Sequence, residues 1–568
     1  MSQTVAEVIV ETLQAAGVKH CWGVPGDTLN YVTDAIRRSG IEWVHVRHEE
    51  AGGFAAGAEA LLTGDLTACA GSCGPGSLHF INGLFESHRN RAPVVLIASQ
   101  ITSEERDFDF PQEVDFEQVY RACSVFCSEI RSPAQARRKV AMACQAALAK
   151  RGVAVLIVPV DISKAAAPAE PPFAVHKAEP LVRPSDAELD RIAWILQEGK
   201  NIAIYGGSGC QGAHDEIVAL AEKLKAPVAH TSRAKDFIEY DNPCNVGMTG
   251  MLGTAGGYHT IKTCDTLLLL GCDFAWRQFY PDKARIVQVD IDPTHLGRRH
   301  PVELGVVGDI KATVAALLPK VKARSDRGFL DDCVARHDKA LASLEKRATA
   351  HEGKIHPQYL AHLIDRHAAE DAIFTADGGS PTVWLLRHVK ANGKRRTLIS
   401  LTHGTMANAM PQALGAKRAF PDRQVISMSG DGGLAMMMGD LLTAIQEKIP
   451  LKIVVFNNGA LGFVELEMKV EGLLNAYTDL VNPDFSRVAE AIGFHARRVE
   501  NANDLEAAVQ DWLAQPGPAL LDVVTSRMEL VMPPFVGAEQ VFGTALYSAK
   551  AMLGGRAGDV WDLVTENL

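Results

Sequence analysis

Residues 424–463 read QVISMSGDGGLAMMMGDLLTAIQEKIPLKIVVFNNGALGF, and their reading decides the fold. The apolar run from Gln424 to Met428 predicts a strand. Gly430-Asp431-Gly432-Gly433 predicts a turn, an amphipathic helix runs on to about Lys448, and Pro450 closes the loop. A second apolar run, Lys452 to Phe456, ends in Asn457-Asn458. Strands covered by helices on both faces read as continuous apolar runs, the mark of a parallel sheet. Such sheets bind ligands at the carboxyl ends of their strands, so Asp431 and Asn458 share one edge. A carboxylate beside an amide oxygen is a hard-oxygen pair. It suits Mg²⁺, which takes few protein ligands and shares the rest of its shell with phosphate and water. The glycines let the backbone approach that phosphate, and a helix N-terminus points N–H groups at it. A GDGG turn alone is an ordinary strand-to-helix connection; the Asn-Asn ending the next strand gives it meaning.

Outward from this stretch, 568 residues predict about three domains, each large enough for its own core. A 47% hydrophobic and 22% charged composition is that of a soluble globular protein. The net charge of −11 excludes a nucleic-acid surface. The N-terminal MSQTVAEVIVETLQAAG carries acids in an amphipathic helix and reads as no signal peptide, and no apolar run reaches spanning length. These features predict a cytoplasmic protein. The 11 cysteines are expected to be reduced. Cys69/Cys73 and Cys123/Cys127 have a CxxxC spacing, but the expectation is small buried hydrophobes rather than zinc ligands.

Taken in order, the chain predicts a first domain over 1–165. The strand Glu42 to Val46 ends there in Arg47-His48-Glu49-Glu50, and the Ala- and Gly-rich helix that follows is built for close packing. Residues 66–98 read strand, glycine turn, helix, Pro, strand, as residues 424–458 do, so the first and third domains are expected to share a topology. The Ala- and Pro-rich stretch 165–184 is a linker. A second domain covers 185–345. Its Gly207-Ser208-Gly209-Cys210-Gln211-Gly212 is a GxGxxG between strand and helix. The acid that would hold a nicotinamide nucleotide's ribose is missing, because the next strand ends in His230-Thr231. A third domain spans 355–530 and includes Asp377-Gly378-Gly379 and Thr402-His403-Gly404-Thr405-Met406. Residues 531–568 form a tail.

The spacing from Gly430-Asp431-Gly432 to Asn457-Asn458 resembles that of enzymes dependent on thiamine diphosphate (ThDP). Gly71 to Pro93 (GSCGPGSLHFINGLFESHRNRAP), 239–253 (EYDNPCNVGMTGMLG), 406–416 (MANAMPQALGA) and 452–469 (KIVVFNNGALGFVELEMK) are similar to the quinone-dependent pyruvate oxidases of bacteria. The resemblance runs over nearly the whole chain. It implies an α/β protein of three domains, each with a mainly parallel sheet flanked by helices: pyrimidine-binding, FAD-binding and diphosphate-binding. It implies oxidative decarboxylation of pyruvate to acetate and CO₂, with electrons passing through FAD to ubiquinone. The cofactors implied are ThDP, Mg²⁺ and FAD.

Residue by residue, it implies that Asp431 and Asn458 bind the metal and that Glu49 hydrogen-bonds the pyrimidine. It implies further cofactor contacts at Gly404, Thr405 and Met406, at Gly432 and Gly433, and along Gly459, Ala460, Leu461, Gly462, Phe463 and Val464. Met406 is the apolar wedge that folds the cofactor. Phe463 and Glu467 match active-site residues of the family, and His79 and His88 lie in the first-domain motif. FAD contacts fall at Thr249, Gly250, Met251 and Leu252, at Cys272, Asp273, Phe274, Ala275 and Trp276, and at Asp290. Glu49 and Asp431 are expected to meet across a subunit interface of a homotetramer. The tail is expected to cover the site, and to bind membrane lipid reversibly at the inner face of the cell membrane through Ala545 to Leu568. Two positions depart from the pattern, Pro111 before Gln112-Glu113 and Gly378, and both predict a roomier pocket that admits a larger 2-oxo acid. Alternative readings are an acetolactate synthase-type carboligase, a plain 2-oxo-acid decarboxylase, and a nucleotide-binding protein without catalysis.

Overall fold

The computed structural model describes residues 3–350, 353–527, 529, 538–553 and 561. Its strands form three six-stranded parallel sheets with helices between and around them. The first contains β1 (His20–Gly23), β2 (Glu42–His45), β3 (Thr67–Gly71), β4 (Val94–Gln100), β5 (Phe126–Glu129) and β6 (Val153–Pro159), in the order β2-β1-β3-β4-β6-β5. The central sheet contains β7 (Ile202–Gly206), β8 (Val228–His230), β9 (Asn245–Met248), β10 (Thr266–Leu270), β11 (Arg285–Asp290) and β12 (Leu304–Val307), in the order β12-β11-β10-β7-β8-β9. The third contains β13 (Ile373–Ala376), β14 (Arg396–Ile399), β15 (Val425–Gly430), β16 (Lys452–Asn457), β17 (His495–Val499) and β18 (Ala519–Val524), in the order β14-β13-β15-β16-β18-β17.

Counting strands within each sheet, the first and third share one order, 2-1-3-4-6-5. The stretches 66–98 and 424–458 occupy the same two places in it, as β3–β4 and β15–β16. The central order is that of a doubly wound dinucleotide fold, with its reversal between β7 and β10. Between them the chain from Ala167 to Ser185 is neither helix nor strand.

The Ala- and Gly-rich helix, Glu49–Thr63, packs against Ala409–Ala419 of the third unit. The approach is so close that a methyl group at Gly415 would stand 2.1 Å from the Ala55 carbonyl oxygen. One core therefore runs through both units, from Trp22 and Phe80 to Leu414, Leu434 and Val455. The single helix expected up to Lys448 is instead broken into Asp431–Met437, a 3₁₀ turn at Met438–Asp440, and Leu441–Gln446. The Asp440 carboxylate explains the break: it accepts the Arg47 N–H at 2.8 Å and the Thr443 hydroxyl at 2.8 Å, tying this turn to the first unit.

All eleven cysteines are free thiols, ten of them buried, and the CxxxC pairs enter no cluster of metal-ligating groups among the described residues. Among those residues, no helix is long and apolar enough to cross a membrane.

Candidate active site

The β15–β16 pair sets Gly430 beside Phe456, which places Asp431 and Asn458 on one edge of the third sheet. The Asp431 carboxylate is 3% exposed. It accepts the Gly459 N–H at 2.8 Å, the Asn482 amide at 2.8 Å and the Gly432 N–H at 2.9 Å. Burial pushes its carboxyl above the usual range, outweighing these donors. The Asn458 side-chain oxygen accepts the Ala460 N–H at 3.1 Å. A desolvated carboxylate held only by neutral donors, next to an amide oxygen, fits a hard divalent cation. The helix that Asp431 opens has only seven residues, so a bound cation rather than a helix N-terminus would anchor a diphosphate here. Above Gly432, a methyl group would lie 3.2 Å from Leu461, 3.2 Å from Leu480 and 3.3 Å from Met406. The expected wedge residue thus comes together with the metal-site turn.

Two residues with unanticipated roles build this edge. Asn482 also donates to the Asn457 side-chain oxygen at 3.0 Å, and Asn457 donates to Asp522 at 2.9 Å. Its only sequence signal is an Asn-Pro turn opening a helix. Asp377 is 2% exposed and accepts the Ala409 N–H at 2.9 Å and the Gly430 N–H at 3.0 Å. Burial pushes its carboxyl up to about 6. This one carboxylate pins the 377–379, 407–409 and 430–433 segments together. Gly433 is glycine because a methyl group there would meet Asp377 Oδ2 at 2.2 Å.

The Gly378 departure has a different cause from the one expected. A methyl group at Gly378 would stand 2.2 Å from the Thr405 carbonyl oxygen. The room is taken by backbone, so this glycine opens no pocket. Gly404, at φ +77°, and Thr405 both donate their N–H groups to Ser400 Oγ at 3.0 Å, which holds the wedge loop.

Glu49 opens the helix after β2, is 9% exposed, and sets Oε2 3.0 Å from His79 Nδ1. The rings of His79 and His48 stack at 4.7 Å. Among the described residues, no hydrogen bond joins Glu49 to Asp431, Asn458 or Met406. The link nearest to it is Asn82, which donates to Glu50 at 2.7 Å and to Thr405 Oγ1 at 3.2 Å. His88 instead faces Gly152, at the start of β6 and the opposite edge of the sheet, and burial holds its imidazole down.

Phe463, on the helix Gly462–Val470, lines a cleft with Trp384, Phe456, Leu466, Asn458 and Arg527. Val464 and Glu467 are exposed on that helix, whereas Glu465 is 1% exposed. Glu465 pairs with Arg527 and accepts the Thr478 hydroxyl at 2.9 Å, with Lys469 Nζ 3.6 Å away. The helix Ala538–Leu553 packs on this helix: Lys469 Nζ lies 5.7 Å from the Tyr547 ring, and Lys550 donates to the Gly472 carbonyl at 2.7 Å. The remainder of the predicted tail, 531–537, 554–560 and 562–568, lies outside the described residues.

In the central unit the reversal point is closed by glycine. A methyl group at Gly207 would meet the Gly271 carbonyl oxygen at 2.2 Å, and one at Gly209 would meet Gly271 Cα at 2.8 Å. The GxGxxG turn therefore serves backbone packing and leaves no gap for a phosphate between these loops. Around it, the Thr249 hydroxyl is buried and, among the described residues, has no partner. Gly250, at φ +103°, sits under the Phe274 ring, and Met251 and Trp276 are 46% and 50% exposed, with Ala275 exposed beside them. Leu252 gives its carbonyl to Arg387 Nε at 3.1 Å. Burial pushes the Cys272 thiol up; it also raises Asp273, but Arg298 and Arg299 outweigh that and hold it below its usual range. Asp290 ends β11 and accepts the Asp292 N–H at 2.9 Å. Orphaned hydroxyl, exposed aromatic and strand-end acid fit an adenine dinucleotide laid over these loops rather than on the glycine turn.

Three models describing thiamine pyrophosphate enzymes match the chain: the N-terminal TPP binding domain over 3–119, the central domain over 189–317 and the C-terminal TPP binding domain over 377–523. YdaP of Bacillus subtilis (strain 168), whose name ascribes thiamine pyrophosphate to it, is 33% identical over 97% of this chain and 96% of its own. The pyruvate oxidase of Lactiplantibacillus plantarum is 30% identical over 91% of this chain and 87% of its own. The acetolactate synthase isozyme 2 large subunit of Escherichia coli (strain K12) is 30% identical over 93% and 96%.

Proposed function

The chain belongs to the thiamine pyrophosphate enzyme family, and from that premise we propose that it oxidatively decarboxylates pyruvate with an electron acceptor. The overall change is pyruvate + H₂O + quinone → acetate + CO₂ + quinol. Asp431 and Asn458 hold Mg²⁺ and, through it, the cofactor's diphosphate. Met406, packed over the Gly432 turn, would prop the cofactor. Glu49 keeps Oε1 for a proton shared with the pyrimidine while Oε2 is engaged by His79 Nδ1. Bound ThDP supplies a carbon nucleophile for the ketone and takes up the electron pair left by CO₂ loss. Phe463, Trp384 and Leu466 would give the substrate an apolar wall while water still reaches the acyl carbon to release acetate, and Thr249, Asp290 and the loop 272–276 would hold FAD.

The observation that carries the reading is the combination in one chain of the Asp431–Asn458 edge with a central sheet of dinucleotide order bearing the unpartnered Thr249 hydroxyl. Ubiquinone as acceptor, reversible attachment of the tail to lipid at the inner face of the membrane, and a homotetramer that brings one subunit's Glu49 to another's Asp431 belong to the same proposal. A carboligase that makes acetolactate without net redox is the second reading, favoured by the equal identity to an acetolactate synthase.

The test is pyruvate turnover with Mg²⁺, ThDP and ferricyanide, assaying acetate and acetolactate together. Acetate formed in step with acceptor reduction supports the oxidase. Acetolactate without acceptor reduction refutes it in favour of the carboligase.

A further inference from the structure

Resting on the flavin reading above, we propose that Arg233 is an anion-binding residue of the central unit, placed to grip the diphosphate of an adenine nucleotide. It lies in the 3₁₀ turn Ser232–Ala234, immediately after β8, on the strand-end edge where ligands bind. The Thr231 N–H donates to the Gly206 carbonyl at 2.9 Å and the Thr249 N–H to the His230 carbonyl at 3.2 Å. The Arg233 turn is thus flanked by the glycine turn on one side and the orphaned Thr249 hydroxyl on the other.

Its neighbours are spent elsewhere. Lys235 binds Glu239 at 2.6 Å, Arg91 binds Asp292 at 3.2 Å, and Arg299 binds Asp273 at 2.8 Å. Glu86, the acid whose field reaches Arg233, accepts from Ser400 at 2.6 Å and from Asn90 at 2.6 Å. Among the described residues, Arg233 itself makes no hydrogen bond or ion pair. Burial pulls its guanidinium down, with Arg91 adding repulsion and Glu86 opposing both. Its side chain is half-buried, so its five donors are open to water or to a ligand. A planar fork of this kind matches phosphate oxygens two at a time. Thr249 adds a hydroxyl donor to the same edge.

Diphosphate can arrive on FAD or on a free nucleotide such as ADP, and the experiment separates them. FAD, ADP and riboflavin are titrated into the wild-type, Arg233→Gln and Arg233→Lys proteins, following flavin fluorescence or heat, with the apo-protein melting midpoint as a fold control. The expected result is a roughly 10- to 100-fold weaker FAD and ADP affinity in R233Q, an intermediate loss in R233K, and riboflavin binding unchanged. Because Arg233 makes no hydrogen bond or ion pair among the described residues, the R233Q apo protein should melt no lower than wild type. Tight ADP binding without FAD binding, still lost in R233Q, would keep the Arg233 assignment and overturn the flavin reading. Wild-type FAD affinity in R233Q would overturn the Arg233 assignment and leave the flavin reading standing. Wild-type protein that binds neither FAD nor ADP would overturn both.

Discussion

Replacing Gly378 by alanine separates two explanations of that glycine. If it widened a substrate pocket, a methyl group would narrow the pocket and shift preference among 2-oxo acids. The packing gives another outcome. The new Cβ would stand 2.2 Å from the Thr405 carbonyl oxygen and 2.9 Å from its carbon. Cβ atoms do not approach backbone closer than about 3 Å, so the loop must retreat by roughly 1 Å. That loop is held by the Gly378 N–H on the Thr405 carbonyl at 3.1 Å and on Asn408 Oδ1 at 3.2 Å. Retreat strains both contacts and carries Met406 with it. Overpacking of this kind costs about 1–3 kcal/mol. If that cost falls on the ThDP-competent loop, the dissociation constant for Mg²⁺–ThDP rises roughly 5- to 140-fold. The assay is quenching of intrinsic tryptophan fluorescence on titration with ThDP at saturating Mg²⁺, alongside the kcat/KM ratio for pyruvate and 2-oxobutyrate. Unchanged ThDP affinity with an altered substrate ratio would refute the reasoning and restore the pocket explanation.

Asp431→Ala should abolish Mg²⁺-dependent ThDP binding; since burial raises the Asp431 carboxyl, protons compete with the cation, and wild-type Mg²⁺ affinity should fall as pH drops through that raised value. A Mg²⁺ affinity that does not fall on acidification would contradict this. Glu465→Gln should destabilise the protein by about 3–5 kcal/mol, as expected when one partner of a buried ion pair is removed. Burial acts to raise the Glu465 carboxyl, but Arg527 and Lys469 outweigh it and hold it below its usual range. Its stabilisation is therefore present above the unfolded carboxyl pKa and lost as pH falls through the lower folded value. Matching urea midpoints for E465Q and wild type at pH 7 would sink the argument. Removing the chain from residue 538 onward should uncover the helix Gly462–Val470 and abolish activation by lipid vesicles; unchanged lipid activation and quinone reduction would exclude a regulatory tail.

Much of this was legible because the informative strands are central. β15 and β16 are buried on both faces, and VISM and IVVF read directly as parallel strands. Five of the six edge strands, β5, β9, β12, β14 and β17, carry no clear strand pattern. An edge strand pairs on one side only, so FCSE, RTLI and HARRV carry polar residues that erase the pattern. The interior β6 and β18 were also passed over, although VAVLIVP and ALLDVV are apolar. In the site, Asp431 and Asn458 stand together because both follow strands directly. Asn482 and Arg527 reach it from sequence-distant loops, and only the folded backbone reveals them. Glu465 and Glu467 are two residues apart on one helix, and periodicity alone does not say which faces inward. Gly378 and Gly415 look alike as letters, and their reasons, a carbonyl in each case, belong to other segments.

The eleven thiols have a use of their own. Burial raises every one of them above the ordinary cysteine value, and only the thiolate attacks a disulfide reagent. The intact protein should therefore stay nearly silent to such a reagent, and each labelling event marks a local opening. Six of these reporters lie between Cys21 and Cys144 and five between Cys210 and Cys333. Labelling followed by peptide mapping would time the breathing of the first and central units separately, against a third unit that carries no label at all.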